Sequence, residues 1–311
     1  MRGHCDASDT IRDFDTASEN GPMILSYQPC FVGDHNLICA GRQPDDSDRA
    51  ALSAASAVIL PQGCPAALYA MAAKHCRHRF PNFDARFAHA GKLGQIRLFR
   101  KSGLAHPTTA LFESVADFCR QTGTAAMPAG LEFTLVFKFN WGGEGFTVYR
   151  IETRAQLEQQ IAAAARFEQA GQRGFMLQAL VSTGGRVLRV VRIGALCVPY
   201  WRVVDGEDQF NVSRSRGARI DRGLDSALQR QAVAQVVRLG RATGINLAGF
   251  DLIFDRDSAR PQPLMLEINY FFGREGLGGS ARYYRLLNDQ IGQWLAELGL
   301  KAPAAASGRC V

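Results

Sequence analysis

Residues 247–279 read LAGFDLIFDRDSARPQPLMLEINYFFGREGLGG. Ala248–Asp255 and Pro263–Tyr270 read as two strands, joined by a polar connection carrying Asp257, Ser258 and Pro261. Glu267 and Asn269 stand two apart on the second strand, so alternation sends both side chains to one face. Asp251 stands on the first strand, and hairpin pairing brings it near that face. Two carboxylates and an amide on a rigid sheet are oxygen donors. They suit a hard cation, Mg²⁺ or Mn²⁺ in its place, shared with phosphates. The plainer alternative makes them outward-facing polar residues of amphipathic strands. The run LMLEIN weighs against it, because an acid inside an apolar stretch is costly when unpaired.

The chain of 311 residues is long enough for two or three subdomains, and 47% hydrophobic and 21% charged residues are the proportions of a globular protein. No apolar run approaches the roughly 20 residues of a membrane helix. Residues 1–22 are polar and acidic, with no hydrophobic segment of a secretory signal, and read as a flexible tail. The eight cysteines form no CxxC and no Cys/His cluster, which argues against zinc and fits reduced thiols in a cytoplasm. Net charge +7 points to acidic partners. No packed Lys/Arg tract accompanies it, which argues against nucleic acid. There is no internal repeat. Nothing in the chain sets an oligomeric state, and a homo-oligomer stays open.

Met23–Tyr27 and Ala57–Leu60 are short apolar runs bounded by turn residues, as expected of buried strands. Pro65–Cys76 carries Leu68, Met71 and Ala72 at helical spacing. This alternation predicts a small α/β domain over residues 23–106. Lys92 opens a helix with a narrow stripe of Leu93, Ile96 and Phe99, ended by Gly103.

From Leu131 the pattern becomes a β-hairpin with a glycine-rich tip. Leu135, Phe137 and Phe139 share one face of its first strand, Val136 and Lys138 the other. The tip Gly142-Gly143-Glu144-Gly145 leads to a second strand over Phe146–Ile151. Glycines there allow backbone N–H groups to approach an anion, and Lys138 adds a point charge. It is not a P-loop, since a strand follows and no Gly-Lys-Ser/Thr does. Thr153 and Gln156 form a capping-box signature opening a helix that Gly171 ends.

Phe175–Val181, Arg186–Ile193 and Val198–Val204 are strand-like. Arg189 and Arg202 lie within them, and a strand arginine is commonly a snorkelling surface residue. Asn211–Arg222, with Arg214, Arg216, Arg219 and Arg222, reads as a basic loop or edge. A helix with Leu228, Ala232, Val236 and Leu239 follows, then the opening hairpin and a last helix over Tyr283–Leu298. Residues 301–311 read as a small-residue tail.

Taken in order, these pieces resemble the ATP-grasp superfamily over roughly Pro81–Leu298, nearest to ribosomal-protein glutamate ligases and glutathione-synthetase-like enzymes. The resemblance rests on Lys92, Lys138 with Gly142–Gly145, the hinge Gln178-Ala179-Leu180-Val181, Arg189, Asn211 with Gly217, Asp251, and Glu267-x-Asn269. It implies an ATP-grasp fold behind the N-terminal α/β domain. ATP would lie between α+β subdomains at 107–183 and 184–300. Lys92, Lys138 and the Gly142–Gly145 loop would meet the phosphates, the backbone of Gln178–Val181 the adenine edge, and Asp251, Glu267 and Asn269 the Mg²⁺.

The implied activity is ATP-dependent ligation of a carboxylate to an amine through an acylphosphate, on small-molecule or peptide substrates. Arg189 and Arg202 would bind the acid, and Arg214, Arg216 and Arg219 would gather it. Three positions depart from the family pattern. Ala179 replaces the hinge acid, Val187 the acid before the arginine, and Phe139 the proline after the lysine. They leave ribose contacts and substrate identity open. Two other readings are a phosphotransferase acting on a hydroxyl and a regulatory nucleotide-binding module without turnover.

Overall fold

A computed structural model describes residues 21–123, 127–143, 145–204 and 217–303. Most of the expected tails at 1–22 and 301–311 therefore lies outside the described residues, as do Glu144, Asn211, Arg214 and Arg216.

The first sheet is wholly parallel. Its order is β2 (His35–Asn36), β1 (Ile24–Ser26), β3 (Ala57–Ile59) and β4 (Arg79–Phe80). The helices α1 (Asp46–Ala54) and α2 (Ala66–His75) alternate with these strands in the chain. The apolar runs at 24–25 and 57–59 are buried, as strands covered on both faces require. The sequence reading found β1, β3 and α2 but not β2, β4 or α1. The missed strands are two residues long. The missed helix announces itself by its cap, Asp45 and Asp48 bonding reciprocally across the first turn.

After α3 (Asp84–Ala88), α4 (Gly91–Lys101) begins within one residue of its expected start, with Leu93, Ile96 and Phe99 buried. The second sheet is antiparallel. Its order is β5 (Thr109–Phe112), β8 (Phe175–Ala179), β6 (Leu135–Phe139) and β7 (Val148–Ile151). One face packs Phe112, Leu135, Phe137, Phe139 and Phe175 against α5 (Val115–Thr122) and α6 (Arg154–Gln169). Thr153 and Gln156 make the expected capping box on α6. Strand β7 starts two residues later than read, because Phe146 N and Val148 N turn back to the carbonyls of Gly143 and Gly145. Likewise β8 stops at Ala179, short of Val181.

The third sheet carries the opening hairpin. Its order is β11 (Arg219–Asp221), β10 (Leu196–Val203), β9 (Arg186–Ile193), β12 (Leu247–Ile253) and β13 (Leu264–Asn269). Leu188, Val190, Phe250 and Leu252 share a core with Ala232, Val236 and Leu239 of α7 (Ser226–Thr243). On the other face Val191, Ile193 and Leu247 pack against Tyr283, Leu287 and Ile291 of α8 (Ser280–Glu297). The rest of that face stays open to a cleft.

One contact fixes the cleft's geometry. Strand β13 is a sheet edge, and an edge exposes unpaired backbone groups. The Gln95 side chain of α4 satisfies it from both sides: its amide nitrogen donates to Ile268 O at 2.8 Å and its oxygen accepts from Ile268 N at 2.8 Å. Met265 N donates to Ala105 O nearby, at 2.8 Å. So α4, which carries Lys92, is bound to the strand that carries Glu267.

Candidate active site

The cleft encloses about 1200 Å³ between the second and third sheets. Alternation along β6 and β8 sends Val136, Lys138, Met176 and Gln178 toward it, while their neighbours enter the core. Opposite them, register decides the arrangement. Tyr200 pairs with Arg189, Arg189 with Asp251, and Asp251 with Glu267, in four successive strands. Directly paired residues share a face, so one polar row crosses the sheet. Leu266 takes no pairing partner where the register slips between Asp251 and Leu252.

Asp251 is the centre of the row. Arg189 grips both of its oxygens, with Nη2 to Oδ2 at 2.7 Å and Nε to Oδ1. Arg202 Nη2 reaches Oδ2 at 2.8 Å, and Asn269 Nδ2 donates to it at 3.2 Å. Both strand arginines are therefore largely buried and ion-paired rather than snorkelling. Burial would raise the Asp251 carboxyl, but the two guanidiniums outweigh it and hold it below the usual range. Arg189 is raised despite its own burial, by the same carboxylate.

Glu267, two residues before Asn269, has the opposite surroundings. It is half-buried and accepts no hydrogen bond from a described residue. Burial first, then the charge of Asp251, raises its carboxyl above the ordinary value, against the pull of Lys92, Lys138 and Arg189.

The two lysines meet it from the other walls. Lys138 Nζ donates to Gln178 Oε1 at 2.7 Å, and Gln178 Nε2 donates to Thr109 Oγ1 at 2.8 Å. Burial pushes Lys138 down to about 8, with Glu267 opposing and Lys92 adding to it. Lys92 Nζ donates to the carbonyls of Trp141 and Gly142 at 2.9 and 2.8 Å, which ties it to the root of the glycine loop. Burial lowers it as well. Gly142 has a positive φ of 80°, and a Cβ there would collide with Thr147, so the position requires glycine.

Gly143 and Gly145 line the cleft, as do Ala179, Leu180 and Val181. Gln178 spends its side chain on Lys138 and Thr109. Beyond Ala179 the backbone groups of Leu180 and Val181 bond to no described residue, which leaves a free polar edge at the hinge. Arg219, grouped in sequence with the basic segment, is instead exposed at a sheet edge and paired with Asp221 at 3.0 Å.

The cleft also holds residues the sequence reading did not select. Arg150 follows Val148 by two on β7, and Tyr200 precedes Arg202 by two on β10, so alternation alone could have found both. Gln62 gave no such signal. It reaches the cleft from the first domain, donating to Tyr270 O at 2.9 Å and accepting from Tyr283 Oη at 3.1 Å.

The donor set can be tested against a hard cation. Among the described residues there is no cluster of three or more His, Cys, Asp or Glu placed to hold a metal. The uncommitted oxygens are the Glu267 carboxylate and Asn269 Oδ1, and a buried unpaired carboxylate beside an amide oxygen fits such an ion. Asp251 is largely committed: three of its four contacts crowd Oδ2 and one reaches Oδ1, which leaves a single lone pair on Oδ1.

No protein-family model and no curated protein sequence matches the chain. Solved structures do. An ATP-grasp RimK domain protein from Sphaerobacter thermophilus superposes with TM-score 0.51 and 14% identity, over 76% of this chain and 81% of that one. D-alanine–D-alanine ligase from Bacillus anthracis gives TM-score 0.55 and 11% identity, over 85% and 86%. The ADP complex of PurK, N5-carboxyaminoimidazole ribonucleotide synthetase, gives 0.55 and 13%, over 81% of this chain and 64% of its own. The chain thus spans less than two thirds of PurK. No helix among the described residues is long and apolar enough to cross a membrane.

Proposed function

We propose that this chain, which has the ATP-grasp fold, is an ATP-dependent carboxylate–amine ligase that forms an amide or peptide bond and yields ADP and phosphate. One observation carries the reading. Two buried lysines on one side of a single cleft face an Arg–Asp–Glu row on the other, with a glycine loop above and a free backbone edge at the hinge. The solved relatives include ligases and an ADP complex, which supports the same chemistry.

In this reading the free backbone of Leu180 and Val181 meets the adenine edge, while Lys92, Lys138 and the N–H groups of the glycine loop hold the phosphates. Glu267 and Asn269 Oδ1 would hold Mg²⁺, with Asp251 as a third ligand once a donor leaves it. Bound there, Mg²⁺ supplies neutralisation of phosphate charge. The acid's oxygen attacks the γ-phosphorus and ADP departs. The amine nitrogen then attacks the acyl carbon, and phosphate leaves from the tetrahedral intermediate. Arg202 orients the acid, its buried Nε having no acceptor among the described residues. We assign the small and large subdomains, with ATP between them, to residues 107–183 and 184–300, and the scattered free thiols fit a cytoplasmic setting.

The test follows from the bond broken. An ¹⁸O-labelled carboxylate must pass one label into the phosphate released. Unlabelled phosphate, with the departing ¹⁸O found in water instead, would exclude the acylphosphate. ADP formed without free phosphate, on a hydroxyl acceptor, would establish a phosphotransferase instead.

A further inference from the structure

The carboxylate at the centre of the polar row has two claimants. Four N–H groups already meet Asp251, while Glu267, its direct partner across the β12–β13 pair, accepts none from the described residues. A cation held by Glu267 and Asn269 would face two guanidiniums with Asp251 as the counter-charge between them.

The two arginines do not hold Asp251 equally. Arg189 grips with two nitrogens and is buried on all sides. Arg202 grips through Nη2 alone, and its buried Nε has no acceptor among the described residues. Releasing Arg202 therefore breaks one ion-pair contact and leaves the hydrogen bonds from Arg189 and Asn269 in place. It also frees a planar fork that already lacks a partner on one side, the shape that binds a carboxylate with two parallel bonds.

Resting on the ligase reading above, we propose that Asp251 is an exchangeable ligand that couples the two halves of the site. Without nucleotide it belongs to Arg189 and Arg202. When the cation–nucleotide complex loads, Asp251 turns from Arg202 to the cation, and Arg202 becomes free for the anionic acid substrate. The acid and the cation–nucleotide complex then bind cooperatively, each tightening the other by the same factor. Nucleotide loads first, because Asp251 occupies the acid's guanidinium until then.

The experiment is a double-mutant cycle on the full chain. It reads Mn²⁺ affinity in the presence of AMP-PNP, a non-hydrolysable ATP analogue, from the magnetic-resonance signal of free Mn²⁺. Arg202→Met removes the competitor for Asp251 and is expected to tighten Mn²⁺ about fivefold or more. Asp251→Asn is expected to weaken it about tenfold. In the Asp251→Asn background, Arg202→Met should have no further effect. Equal tightening by Arg202→Met in both backgrounds would be charge removal through space and would overturn the exchange, as would no change in either. Melting curves accompany each variant. Should Arg202→Met fail to fold, Arg202→Gln, which is also uncharged and so also removes the competitor, takes its place in the same cycle. Wild-type protein that bound no Mn²⁺·AMP-PNP would overturn the nucleotide reading itself, an outcome distinct from an additive cycle.

Discussion

Asp251 and Glu267 stand directly opposite each other in the β12–β13 pair, and among the described residues Asp251 meets four N–H groups of Arg189, Arg202 and Asn269 while Glu267 accepts none. Two carboxylates in register repel, and only one has been compensated. The stabilising contacts therefore gather on Asp251, and each residue predicts a different mutant.

Glu267→Gln removes an uncompensated charge while keeping shape. Turnover is expected to fall on the order of 10²-fold, with no loss in melting temperature. The pH dependence has a definite sign. The folded protein holds the Glu267 proton more tightly than the unfolded chain does. Its contribution is therefore present at low pH and is lost as pH rises from the ordinary carboxylate value through the raised one. Thermal melts against pH should show this decline in the wild type and not in Glu267→Gln. An equal decline in both would assign it to another group.

Asp251→Ala differs in its effect on stability. It leaves two guanidiniums in the cleft wall without a counter-charge, and one-sided removal of a buried ion pair costs about 3–5 kcal/mol. Urea unfolding should show that loss. A loss under about 1 kcal/mol would mean that water reaches Arg189 and Arg202 freely.

On the proposed reading, Lys138 is expected to make ADP binding pH-dependent. Its ammonium, pushed down to about 8 by burial, is protonated below that pH and neutral above it. ADP affinity should weaken as pH rises through that value, and Lys138→Met should abolish the step. Isothermal titration between about pH 7 and about pH 9 reads it. A step that survived in Lys138→Met would belong to a different group.

The glycine loop is held from one side by Lys92 and by Thr147, whose Oγ1 donates to Trp141 O at 2.6 Å. Its Phe146 is 76% exposed. Limited proteolysis should cut near Trp141–Phe146, and Mg²⁺·ATP should protect, since phosphates draw Lys92 and the loop amides together. Equal cleavage with and without nucleotide would make this an ordinary hairpin.

Much of this site was legible in the sequence, for particular physical reasons. A period of two placed Lys138 opposite the Phe137 core and put Glu267 and Asn269 on one face, and both assignments depend only on the strand being a strand. The capping box at Thr153 was legible because its two hydrogen bonds are local. What alternation does not carry is register. That Arg189 lies between Tyr200 and Asp251 follows from which strands pair and where, and the sequence shows neither. Hence Asp251 was read as an open metal ligand, whereas the structure shows it largely committed to arginine. Gln62 was invisible for the same reason, its partner Tyr270 lying far along the chain. The basic residues Arg214 and Arg216 and the loop residues Asn211 and Glu144 lie outside the described residues.

The central claim, ligation of a carboxylate to an amine at the expense of ATP, is tested most directly by measuring ADP, phosphate and amide together across pairs of amino acids and acidic peptides. The account predicts that ADP and phosphate appear in equal amounts, matched by amide, only when an acid and an amine are both present, and that Glu267→Gln suppresses all three. ADP matched by a phosphorylated hydroxyl, or tight ATP binding with no turnover for any pair, would contradict it.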